Sequence, residues 1–174
     1  MFSHRGFRAA SLSDVAEQAG VTPAGILYHF KSKDELLLAV IRDRDRRQWP
    51  ILEELTREGG LAPITGAVRF AEIAETEPNL FALHTVLEIE SLDPASPAHE
   101  YFRARNRFLL DGLDVILRAL QRAGEIRRDV DCARVARQIL VFEHGAAVVW
   151  LKNPDLSIAE LYRDYFDSLV ASIT

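Results

Sequence analysis

The chain has 174 residues, 48% apolar and 27% charged, with one cysteine, Cys132, and a net charge of −5. That length can bury one large or two small cores, and one thiol excludes an internal disulfide. No apolar run approaches the ~18 residues of a membrane span and no signal-peptide pattern opens the chain, so a soluble cytoplasmic protein is expected.

The charge is unevenly shared. Residues 1–49 carry eight Lys/Arg and six Asp/Glu, whereas residues 50–174 carry thirteen and twenty. A positive end and an acidic remainder favour nucleic-acid contact at the N-terminal end.

Taken from the start, Met1–Arg8 reads as the tail of a helix ending at Gly6, with Phe2 and Phe7 turned inward. It is too short to stand alone, so the first helix is expected to be incomplete in this sequence. Ser11-Leu12-Ser13-Asp14 and Ser32-Lys33-Asp34-Glu35 are capping boxes, a hydroxyl answered three residues later by a carboxylate. Between them Thr22-Pro23 places a cap hydroxyl before a proline suited to a first helical turn. Gly20 stands where a left-handed residue ends a helix. Leu12, Val15, Ala16 and Ala19 fall on one helical face, and Ile26 and Phe30 point inward from the next helix.

Two short helices joined by a Gly-containing turn form a helix-turn-helix, whose second helix enters the major groove N-terminus first. The residues left outward are Thr22, Pro23, Ala24, Gly25, Leu27, Tyr28 and His29. Thr22, Gly25 and Tyr28 are the leading base contacts, His29 can reach a phosphate or base, and Ala24 and Leu27 offer apolar contact. Ser11 and Lys33, at helix N-termini, suit phosphate.

Beyond this corner, Lys33 to about Glu58 is predicted as a long helix with a kink or restart near Trp49, because Pro50 cannot donate. Gly59-Gly60 ends it. Ala62–Glu77 is a further helix stopped by Pro78, Asn79–Leu92 the next, and Asp93-Pro94-Ala95-Ser96-Pro97 a loop. Ala98–Ala123 has one apolar face and stops at Gly124. Asp131 caps a helix reaching Lys152, and Ser157-Ile158-Ala159-Glu160 is a capping box opening the last one. That last helix carries an unbroken stripe, Ile158, Leu161, Tyr162, Tyr165, Phe166, Leu169, Val170 and Ile173. No segment alternates with period two, so the fold class is all-α.

The stretch SLSDVAEQAGVTPAGILYHFKSKDELLLAVI, with Phe2 and Arg5-Gly6-Phe7 before it, resembles the DNA-binding domain of the tetracycline-repressor (TetR) family. The matching pieces are Ser11-Leu12, Val15-Ala16, Ala19-Gly20-Val21-Thr22, His29-Phe30 and Ser32 through Leu37. Leu27 stands where the family usually has an aromatic, with Tyr28 beside it. The resemblance implies an N-terminal helix-turn-helix domain, residues 1–47, and a larger C-terminal helical domain, residues 48–174, for effector binding and dimerisation. It also implies a small-molecule pocket among the middle helices. The sequence offers Phe70, Ile73, Phe81, His84, Leu87, Glu88, Phe108, Leu109, Gly112, Phe142 and His144 for its lining, although His84 and Glu88 could equally pair on a surface.

The helix before the last is apolar nearly all round from Ile139 to Leu151, more than one neighbour can cover. A two-fold four-helix bundle covers it, with Ile139, Gly145, Ala146, Val149, Leu161, Tyr162, Tyr165, Phe166 and Leu169 at the interface. Two readers about 34 Å apart then address a palindromic site. The expected function is a homodimeric, ligand-responsive transcriptional repressor that binds double-stranded operator DNA and is released by a small-molecule effector. The alternative is a helical ligand-binding or interaction module without operator binding. The histidines have no metal-ligand spacing, and no phosphate loop or nucleophile elbow occurs, so no enzyme, metal or cofactor is expected. Cys132 is read as an inert thiol rather than a redox sensor.

Overall fold

The computed structural model describes residues 11–174, so the expected helix tail over Met1–Arg8, with Phe2 and Phe7, lies outside them. Among the described residues there are nine helices and no strand: α1 (Leu12–Ala19), α2 (Pro23–His29), α3 (Lys33–Glu58), α4 (Ala62–Thr65), α5 (Ala67–Thr76), α6 (Pro78–Glu90), α7 (His99–Ala123), α8 (Cys132–Lys152) and α9 (Ile158–Ile173). The all-α expectation holds.

Most boundaries follow from the capping residues. Asp131 accepts the Arg134 N–H at 3.0 Å to open α8, and α7 gives way to Gly124 in the left-handed conformation. Three boundaries depart from expectation. α3 is continuous through Pro50, where a kink or restart was expected near Trp49, so the helix does not restart there. The segment expected as one helix over Ala62–Glu77 is two, parted at Gly66, which packs tightly against Leu55 and the Ala62 carbonyl. The helix before Pro78 stops there as expected, but α6 begins at Pro78 itself, one residue ahead of the expected Asn79.

The chain divides into two compact units, each with its own apolar interior. One holds the described part of Met1–Arg47 together with Asn79–Ala104. In it α3 presents Leu37 and Ile41 to Leu87 of α6, Ala98 and Phe102, with Val15, Leu38, Leu83 and Tyr101 around them. The other holds Gln48–Pro78 and Arg105–Thr174. There α9 packs on α5, whose buried face is Ala67, Ala71 and Ala74. Small residues let the helix carrying Tyr162 and Phe166 approach closely.

Candidate nucleic-acid interface

The helix-turn-helix is built from its caps outward. Ser11 and Asp14 exchange two hydrogen bonds, Ser11 N–H to Asp14 Oδ2 at 2.8 Å and Asp14 N–H to Ser11 Oγ at 3.1 Å, which fixes the start of α1. Gly20, at φ 69°, turns the chain, and the Val21 N–H closes back on the Ala16 carbonyl at 3.0 Å. Thr22 Oγ1 accepts the Gly25 N–H at 3.0 Å and opens α2 two residues later than that turn.

α2 is then clamped from inside. Ile26 is buried with Ala16 and Leu36, and Leu12, Val15, Phe30 and Val40 pack around them. Ala19, expected on the same face, is exposed. At the far end Glu35 does not close the expected box onto Ser32. Its carboxylate accepts the Lys31 N–H at 2.6 Å instead, while Ser32 Oγ accepts the Glu35 N–H at 3.1 Å. The turn between α2 and α3 is thus held on both sides by one cap pair.

With Ile26 fixed inward, the opposite face of α2 has to point out. Thr22, Pro23, Ala24, Leu27, Tyr28 and His29 are all exposed, and Gly25 is half-buried. Tyr28 is 86% exposed and Leu27 48%, and the Tyr28 and His29 rings meet edge-on with centroids 5.1 Å apart. An aromatic this exposed on a short, firmly seated helix contributes little to the fold. Each cap hydroxyl uses its oxygen as acceptor, so the O–H of Ser11 and of Thr22 can still donate outward. Lys33 is half-buried at the start of α3. The sequence reading passed over Lys31, whose side chain is exposed in the turn. A cation in the hinge between two cap residues was the signal available.

The residues expected to line a pocket fall into both units. In the first, Leu87 belongs to the core with Leu37 and Phe102, Phe81 is half-buried, and His84 is buried. His84 and Glu88, for which pairing on a surface was the alternative, approach to 4.0 Å with both side chains largely covered. In the second, Phe70, Leu109, Gly112 and His144 are half-buried, while Ile73 and Phe108 are exposed. Phe108 meets Trp49 edge-on with centroids 5.6 Å apart. His144 Nδ1 donates to the Leu140 carbonyl at 2.7 Å, a bond within its own helix. Phe142 stands among other partners, stacked on Tyr165 with centroids 3.8 Å apart.

The residues expected at a dimer interface also divide. Ile139, Ala146, Tyr162, Phe166 and Leu169 are buried within the single chain, Phe166 to 1% exposure, because the stripe on α9 faces α5 and α8 of its own unit. Gly145 and Val149 are exposed, and Leu161 and Tyr165 are half-buried. Val141, which the sequence reading did not select, is 72% exposed. It lies in a groove of about 600 Å³ between α8 and α9, lined by Arg134, Arg137, Gln138, Val141, Phe142, Tyr165, Ser168, Leu169 and Ser172. Burial and the neighbouring Glu143 raise the Tyr165 phenol above its ordinary value of 10.0.

Comparison with known proteins bears on the corner just described. Residues 1–40 match the family model for bacterial regulatory proteins, tetR family. The match is to the TetR family. The HTH-type transcriptional repressor KstR2 of Mycolicibacterium smegmatis is 40% identical over 43 residues, 25% of this chain and 21% of that protein. The fatty acid metabolism regulator protein of Bacillus subtilis is 26% identical across 99% of this chain and 90% of its own length. Among solved structures, the transcriptional regulator FadR from Bacillus subtilis, in complex with stearoyl-CoA, superposes with a TM-score of 0.82 at 19% identity, covering 99% of this chain and 94% of that one. The TetR-like architecture, an N-terminal helix-turn-helix and a larger C-terminal helical part, thus extends over the chain. The matched relatives are transcription regulators, and among the described residues no helix is long and apolar enough to cross a membrane.

Proposed function

We propose that this protein is a cytoplasmic, homodimeric transcriptional repressor of the TetR type, not an enzyme, that binds a palindromic operator and lets it go when a small molecule binds. Residues 1–47 form the reader and residues 48–174 the effector-binding and dimerising part. The observation that carries the reading is the outward face of α2, with Tyr28 86% exposed opposite the buried Ile26. Thr22, Gly25 and Tyr28 address bases, His29, Lys31, Lys33 and Ser11 address phosphates, and Ala24 and Leu27 give apolar contact. Pro23 sets the entry angle of the helix.

A second copy covers the α8–α9 groove, which Val141 and Tyr165 line, together with the exposed Gly145 and Val149 further along α8. Leu161 flanks it, while Ile139, Ala146, Tyr162, Phe166 and Leu169 form the inner wall that shapes the face. Effector contacts are to be sought unit by unit, among Phe81, His84, Leu87 and Glu88 in the first and among Phe70, Ile73, Phe108, Leu109, Gly112, Phe142 and His144 in the second. A long-chain acyl-CoA is the first ligand to try, supported by the Bacillus subtilis relative bound to stearoyl-CoA. Release requires the ligand to bind two arrangements unequally, and a coupling of about 1–3 kcal/mol changes operator affinity 5–150-fold. α3 carries the change to the reader, with Pro50 as its point of flexure. Pro50→Ala should therefore blunt ligand-induced release.

The deciding experiment is a gel shift of the full-length protein on the DNA upstream of its own gene, across a salt series. Binding that weakens linearly in log–log form with salt is expected. No shift at low salt by the folded dimer would instead support a ligand-binding or interaction module without an operator.

A further inference from the structure

The groove between α8 and α9 takes up only half of the face on which it lies. It sets Arg134 and Arg137, from the start of α8, beside Ser168 and Ser172, from the end of α9, so the two helices run antiparallel. Phe142 and Tyr165 stack at one end of it, centroids 3.8 Å apart and planes within 4°, which puts these two positions at one level. Arg137 lies five residues before Phe142, about 7.5 Å from that level along α8. Glu160 lies five residues before Tyr165, as far from the level but on its other side, because α9 runs the opposite way.

The two halves of the face differ in chemistry. The groove half carries the exposed guanidinium groups of Arg134 and Arg137. The other half carries exposed Gly145 and Val149 on α8, half-buried Leu161 on α9, and the exposed carboxylates of Glu160 and Asp164. Among the described residues none of these four charged side chains has a hydrogen bond or an ion pair.

A face that binds its own copy does so about a two-fold axis lying in the plane of contact. An axis along the helices would set Arg134 and Arg137 against the same arginines of the other copy, and like charges face to face are costly. An axis across the helices, at the level of the stacked rings, exchanges the two halves instead. Leu161 lies four residues before Tyr165, and the groove residues Gln138 and Leu169 each lie four residues on the groove side of the stack. The exchange therefore brings an apolar side chain over the middle of the groove.

We propose that the second copy sits with its halves exchanged, so that the partner's Leu161 enters the groove between Gln138 and Leu169 and the partner's Glu160 comes beside Arg137. The partner's Asp164 follows one turn on. Burial of Leu161 supplies affinity, and the charge pair, made twice by symmetry, fixes which way round the copy sits. The dimer itself rests on the function proposed above, whereas the direction of the second copy is a separate matter.

The test is a charge exchange in the full-length protein, read as the dimer dissociation constant by sedimentation equilibrium at low salt. Arg137→Glu and Glu160→Arg should each weaken the dimer about tenfold or more, because each sets like charges together at two symmetric places. The double variant, which restores opposite charges, should return to within about threefold of wild type. A double variant as weak as the two single effects combined overturns the exchange of halves and leaves the dimer standing. A wild type that stays monomeric at every concentration overturns both. Should the charge variants not fold, cysteines carry the test, since the native Cys132 is buried. A chain with both Arg137→Cys and Glu160→Cys should form a disulfide-linked dimer on mild oxidation, and one with Arg137→Cys alone should not. No link in the first, or a link in the second, overturns the proposal.

Discussion

Ser157 Oγ donates a 2.7 Å hydrogen bond to Glu75 Oε1, a residue 82 positions earlier in the chain. The same carboxylate oxygen accepts the Ala159 N–H at 3.2 Å, while Ser157 Oγ accepts the Glu160 N–H at 3.1 Å. The first turn of α9 is thus capped partly by its own serine and partly by α5. A carboxylate is the right group there, since the unpaired N–H groups of a helix start carry partial positive charge. Glu75→Ala should cost about 1–2 kcal/mol of stability, read from the urea midpoint. One turn away, Arg163 and Glu72 pair at 2.8 Å with both side chains about half exposed. Glu72→Ala should cost less than about 0.5 kcal/mol.

Gly66 is the second place where the fold depends on one position. A Cβ there would run into the buried Leu55 side chain and the Ala62 carbonyl. Gly66→Ala should destabilise by about 1–3 kcal/mol, an overpacking cost. Gly112, in the interior of α7, has nothing within 4 Å of an added Cβ. Gly112→Ala should be neutral or stabilising by up to about 1 kcal/mol. The pair of variants, melted side by side, separates lack of space from lack of helix propensity.

Tyr28→Ala should leave the melting curve unchanged, because the ring is exposed, and weaken operator binding by about 1–3 kcal/mol in an anisotropy titration. Ile26→Ala, on the opposite face, should instead lose about 2–5 kcal/mol of stability. If Tyr28→Ala bound as well as wild type on every sequence tried, the outward face of α2 would not be the reading surface.

Val141→Asp tests the groove between α8 and α9. The side chain is exposed in one chain, so an aspartate is tolerated in a monomer. In a dimer closed over this groove it would be buried without a partner. Sedimentation should show wild type at twice the mass of the variant, and an unchanged mass would move the interface elsewhere.

Much of the helix map can be read from the sequence because caps are local. Asp131, Thr22 and Ser11 act within three residues of themselves, and their positions alone set the starts of α8, α2 and α1. Gly66 broke a predicted helix because its constraint comes from Leu55, eleven residues away, and no period in the sequence records that. The helix-turn-helix was legible for the same local reason that its caps were. The stripe expected at a dimer face is only partly exposed in the single chain. Leu161, Tyr162, Tyr165, Phe166 and Leu169 form one stripe on paper, yet Tyr162 and Phe166 are buried within the single chain, edge-on to Phe142 of α8, while Tyr165 is half-buried. The residues expected to line a pocket do not fall in one setting: Leu87 is in the core with Ile41 and Phe142 is stacked on Tyr165.

Tyr165 gives a prediction in alkali. Burial first, and Glu143 second, favour its neutral phenol, so the folded chain keeps that proton to higher pH than the unfolded chain does. Its contribution to stability is full below the ordinary tyrosine range and is lost as pH rises through the raised folded value. The near-ultraviolet tyrosinate titration should show one late step, absent in Tyr165→Phe.

The pairing of α5 with α9 also sets an order of events during synthesis. Contacts that join distant parts of a chain pay their closure cost before they are rewarded, and domains form as their residues leave the ribosome. The unit that holds the reader has its last segment at Ala104, and can close while later residues are still being made. The other unit cannot. Its alanine face on α5 must wait for about eighty more residues, until α9 begins to emerge to cover it. During that wait Ala67, Ala71 and Ala74 lack their cover. Three alanines expose far less sticky surface to other nascent chains than leucines would, so the small residues that permit close packing also make the delay safe.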